Sequence, residues 1–99
     1  MKLYQYTRYF QDGKEEALEP RKQMKLHELQ QEVGGSNIIT IVPRDYYAHQ
    51  KWGRCTVYVD DEGAMDSRNT KNPFFTELAP GYMIVGKALK EEVYHADVQ

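Results

Sequence analysis

Residues 26–63, LHELQQEVGGSNIITIVPRDYYAHQKWGRCTVYVDDEG, decide the fold. Leu26, Leu29 and Val33 stand at i, i+3 and i+7, one stripe of an amphipathic helix with His27, Glu28, Gln30, Gln31 and Glu32 on its wet side. Met24 extends its start, so the spacing predicts a helix over 23–33 within a 21–35 segment. Gly34-Gly35 stops it, because glycine accepts the left-handed conformation that closes a helix C-terminus. A glycine pair can also cradle phosphate, but phosphate loops precede a helix rather than follow one. Residues 38–42, IITIV, form a β-branched run expected to be a strand buried on both faces near the sheet centre, and Pro43 ends it. In residues 54–59, Cys55, Val57 and Val59 alternate with Arg54, Thr56 and Tyr58, a second strand. The acids of residues 60–63 read as a solvated turn, since a calcium loop needs ligands spread over about twelve residues.

Between those strands, residues 43–54 hold Arg44, Tyr46, Tyr47, His49, Lys51, Trp52 and Arg54, the densest mixture of cations and aromatics in the chain. Guanidinium groups bind phosphate bidentately, and flat rings stack on bases for about 1–3 kcal/mol each. The competing reading folds the rings back on the core and leaves the cations solvated. Eight tyrosines fit either reading, since tyrosine suits strands as well as contact surfaces.

Working outward, residues 3–10 alternate as a strand with Tyr4, Tyr6 and Phe10 on one face and Gln5 and Thr7 on the other. Arg8 interrupts the apolar side and is expected to reach solvent. Asp12-Gly13 is a tight turn, and residues 14–18 pair back weakly until Pro20. Downstream, Asn72-Pro73 caps a short helix through Phe74, Phe75 and Leu78. Arg68, Asn69 and Lys71 precede it as polar groups placed to close a pocket over the 43–54 loop, from the same sheet end or from a neighbouring subunit. Residues 82–89 make a last strand interrupted at Gly86, and 91–99 is a charged tail expected to fray or dock weakly. The expectation is one α+β domain over 1–99: a small, mostly antiparallel sheet of four or five strands with one main helix packed on a face. Its parts are an N-terminal hairpin (1–20), the helix (21–35), the sheet core (36–90) and the tail.

Ninety-nine residues bury roughly 60–65% of the unfolded surface, enough for one core. Hydrophobic residues at 40% and charged ones at 28% argue for a folded chain. A net charge of -2 argues against a duplex nucleic-acid binder, which carries a basic surface. One cysteine allows no internal disulfide and no thiolate metal cluster. The longest apolar run is far too short for a membrane span, and the start MKLYQYTRYF is too polar for a signal-peptide core, so a cytoplasmic location is expected. His27, His49 and His95 have no patterned partner, and no nucleophile-base pair, metalloprotease or phosphate-loop motif occurs. The chain is read as non-enzymatic, with no cofactor and no metal.

LHELQQEVGG, IITIVP, VYVDDEG, the Asn-Pro segment and GYMIVG together resemble a family of small domains encoded mainly by bacteriophages and mobile elements. The match covers residues 26–90; the aromatic insertion at 44–54 departs from the pattern. The family has no assigned chemistry. Its setting implies a phage accessory or anti-defence protein in the host bacterial cytoplasm. By analogy with phage sponges of similar size, the expected ligand is a cyclic nucleotide (a cyclic oligonucleotide immune signal), held by Arg44, Tyr46, Tyr47, His49, Lys51, Trp52, Arg54, Arg68, Asn69 and Lys71, in a homo-oligomer. The alternative is a protein-binding inhibitor of a host enzyme or defence protein, since an exposed Tyr/Trp/Arg loop is also the composition of an interface hot spot.

Overall fold

The computed structural model describes residues 2–35, 38–41, 55–60, 62, 69–73 and 85–94. Six elements follow in order: β1 (Tyr4–Tyr9), β2 (Glu15–Ala17), α1 (Leu26–Val33), β3 (Ile38–Ile41), β4 (Thr56–Asp60) and β5 (Ala88–Val93). The five strands form one antiparallel sheet in the order β2-β1-β5-β4-β3. Four of them carry the core, while β2 is a three-residue exposed strip. The fold is α+β, as expected.

Local chemistry explains the elements. Gly13 has φ 95° in the β1–β2 turn, and the Asp12 carboxylate accepts the Lys14 N–H at 3.0 Å. Gly34 has φ 81° and its N–H donates to the Gln30 carbonyl at 2.9 Å, so the glycine pair stops α1 where expected. Helix α1 begins later than its apolar spacing predicts. Residue 21 is still extended, exchanging backbone hydrogen bonds with Tyr4, and the Glu28 carboxylate accepts the Lys25 N–H at 3.1 Å to start the first turn. Leu26 is therefore 61% exposed rather than part of the buried stripe. Met24 replaces it, because its N–H donates to the Tyr6 hydroxyl at 2.8 Å and draws the residue inward.

The helix covers Tyr6 and Leu89 with Met24, Leu29 and Val33, flanked by Tyr4, Leu18, Ile38 and Tyr58. On the other sheet face Thr7, Tyr9, Cys55, Val57, Val59 and Ala88 are buried. The alternation expected for β4 holds, and Val57 is fully buried.

Two expectations are corrected. The β-branched strand β3 stands at one end of the order of described strands, not at the centre; Ile38 is half-buried and Thr40 exposed. The central strand is β5, ALKEEV, whose last four residues the sequence reading assigned to a charged strand end and tail. Hydrophobicity marks a strand's partners poorly when polar side chains carry their own counter-groups. Here Glu91 is 8% exposed on the helix face, where Tyr6 Oη donates to it at 2.6 Å and Tyr58 Oη at 3.1 Å. On the opposite face Lys90 pairs with Glu92 at 3.5 Å and lies over the Tyr9 ring.

Candidate functional site

Of the ten residues expected to form the site, Arg44, Tyr46, Tyr47, His49, Lys51, Trp52, Arg54 and Arg68 lie outside the described residues. Asn69 and Lys71 are described. The roots of the 43–54 loop are also fixed: Ile41 pairs with Val57, so the chain leaves β3 and re-enters β4 at neighbouring strand ends.

Asn69 and Lys71 sit at the other end of the sheet. The Thr70 N–H donates to Gln11 Oε1 at 2.7 Å, its carbonyl accepts the Gly86 N–H at 2.9 Å, and Lys71 bridges to Val85. Asn72 is 1% exposed, and its amide donates to the carbonyls of Tyr9 at 2.9 Å and Gly86 at 2.8 Å. Asn72 therefore does more than precede a proline. It ties the start of β5 to the end of β1, the end marked by Asp60 on β4. From Asp60 back to Thr56, where the loop returns, β4 runs about 13 Å. Asn69 and Lys71 thus stand at the sheet end opposite the loop's roots, and the loop they were expected to close over lies outside the described residues.

What Asn69 does line is a cleft of about 600 Å³. Its walls are the β1–β2 turn, the last turn of α1, Asp60, and the Val85-Gly86-Lys87 bend that leads into β5. Gly86 has φ 78°, where a side chain would be strained, and a Cβ there would also crowd Asn69 Cγ at 3.1 Å. Gly35 leaves room for Asp60: a Cβ would fall 2.4–2.6 Å from its carboxyl atoms.

The side of the cleft next to α1 is organised by Glu32, which helix periodicity had placed on the wet face. Arg8 donates to it twice, from Nε and Nη2, both at 2.7 Å, and Lys87 Nζ donates at 3.0 Å. Lys87 also lies 5.3 Å over the Phe10 ring. The Arg8 guanidinium, helped by Lys87 and opposed by burial, holds the Glu32 carboxyl down at about 2. Arg8 thus binds the helix, and Glu16 on β2, while staying partly solvated. One clue was present in the sequence: Arg8 shares the strand face of Tyr4 and Tyr6, and a cation there needs an acid from the covering helix.

Catalytic groups do not assemble among the described residues. Cys55 is buried, and burial pushes its thiol up, away from a reactive thiolate. His27 is exposed, and His49 and His95 lie outside the described residues. No cluster of three potential metal ligands occurs among the described residues, and none of their helices is long and apolar enough to cross a membrane. Comparison with family models, curated proteins and solved structures returns no match. The phage-domain resemblance therefore rests on the quoted motifs alone.

Proposed function

We propose that this protein works by binding rather than by catalysis, and that it sequesters a cyclic nucleotide immune signal as a phage anti-defence protein. The observation that carries the reading is the polar cleft walled by Asn69, Gln31 and Lys87, whose volume of about 600 Å³ is that of a small-molecule site. The cation-rich loop supplies what the cleft lacks. Arg44 and Arg54 hold phosphates, and Tyr47 or Trp52 stacks on a base.

The loop's roots and the cleft stand at opposite ends of the sheet, an arrangement that suits two copies sharing each ligand. An antiparallel two-fold pair brings one copy's loop end to its partner's cleft end and repeats the arrangement by symmetry. Light scattering is expected to return at least twice the 11.6 kDa chain mass. A monomer with and without ligand contradicts the shared site.

The function is tested by melting the protein against a panel of cyclic di- and trinucleotides. At a concentration a hundredfold above Kd, a ligand of the native state adds about 2.7 kcal/mol, raising Tm by roughly 10 °C in a chain of this size. No shift with any member removes the nucleotide reading and turns attention to a protein partner for the Tyr/Trp/Arg loop.

A further inference from the structure

Resting on the binding reading, we infer that the cleft is the base pocket of the site and that Asp60 selects guanine by accepting its N1–H and N2–H donors. The charge of the cleft is the first ground. Of its acids, Glu32 is neutralised by Arg8 and Lys87 and Asp12 has Lys14 at 3.9 Å, whereas Asp60 has no cation partner among the described residues. The C-terminus of α1 adds its negative dipole end, with no basic residue in the last turn to offset it. Phosphate is repelled from the Asp60 side of this wall. A neutral, donor-rich edge is attracted.

The three carboxylates are not equivalent. Glu32 is saturated by Arg8 and Lys87. Asp12 stabilises its own turn by accepting the Lys14 N–H. Asp60 accepts a single N–H, that of Glu62 at 3.0 Å on Oδ1, and among the described residues Oδ2 takes no other bond. Gly35 leaves the space its carboxylate occupies, since a Cβ there would overlap its carboxyl atoms. Two adjacent acceptors in one plane match two adjacent donors. Guanine alone among the common bases offers that pair on its pairing edge, whereas adenine and uracil each mix donors with acceptors. The Phe10 ring and the amides of Gln31 and Asn69 complete a wall suited to a flat, polar ligand.

The test is calorimetric titration of the whole protein with a cyclic dinucleotide carrying two guanines and with one carrying two uracils. Wild type is expected to bind the guanine ligand at least about tenfold more tightly. Asp60→Asn keeps an acceptor for the Glu62 N–H but turns half of the acceptor pair into a donor. It should lower guanine affinity about tenfold, leave uracil affinity unchanged and melt at the wild-type temperature. Equal binding of both ligands by wild type, or an undiminished preference in Asp60→Asn, overturns the guanine assignment while the nucleotide-binding reading stands. Absence of binding to either ligand and to the other cyclic nucleotides overturns both.

Discussion

Tyr6→Phe is expected to lower folding stability by about 3 kcal/mol, although it removes one oxygen atom and leaves the ring in place. That oxygen joins three elements. It accepts the Met24 N–H that leads into α1 and donates to Glu91 on β5, from a residue fully buried on β1. Without it a buried amide loses its acceptor, and the Glu91 carboxylate keeps only Tyr58 among the donors of this cluster. Leaving a buried polar group unsatisfied costs about 1–3 kcal/mol, more where a charge is involved. Tyr58 is already pushed up to about 12, by burial first and by Glu91 next, and cannot supply a second donor. Urea unfolding at neutral pH measures the loss. A change under about 1 kcal/mol would mean that the cluster is not dry and that β5 is held at the centre by something other than this network.

The second large effect belongs to Glu32→Gln. The carboxylate, 15% exposed, joins β1, α1 and the bend before β5 through Arg8 and Lys87. Its folded-state pKa is depressed from 4.5 to about 2. The stability it contributes is therefore present above about pH 4.5 and is lost as pH falls toward about 2. Arg8 and Lys87 are each partly solvated, which reduces the contribution to about 2 kcal/mol. The variant should be less stable by about that much at pH 7 and nearly level with wild type at pH 2, where wild type has lost the interaction. Equal urea midpoints at pH 7 would show that the three charges are independently solvated.

Both effects arise at residues whose importance local patterns conceal. The helix stop at Gly34, the turn at Gly13 and the alternation of β4 were readable because each is a backbone or period signal contained in a few residues. The central position of β5 was not. ALKEEV reads as a solvated end until Glu91 is known to face Tyr6 and Tyr58, residues 85 and 33 positions away. Helix periodicity likewise assigned Glu32 to solvent, since its partners lie on strands that the helix pattern does not specify. The same distance in sequence hid the cleft, where Asp60, Gly86 and the β1–β2 turn meet only after folding. Residues 69–72 were recognised as polar, but their place at the sheet end away from the loop's roots depends on the β3–β4 register.

Binding of a cyclic nucleotide is the central claim, and calorimetric titration of the wild-type chain beside an Arg44/Arg54/Trp52→Ala triple variant tests it most directly. Loss of a charge-assisted phosphate contact costs about 1.5–3 kcal/mol, and loss of a stacked base about 1–3 kcal/mol. The account predicts saturable heat for wild type with at least one cyclic di- or trinucleotide, weakened by added salt, and no measurable heat for the folded triple variant. Saturable binding undiminished in the triple variant, or no heat from wild type with any cyclic nucleotide, would contradict it.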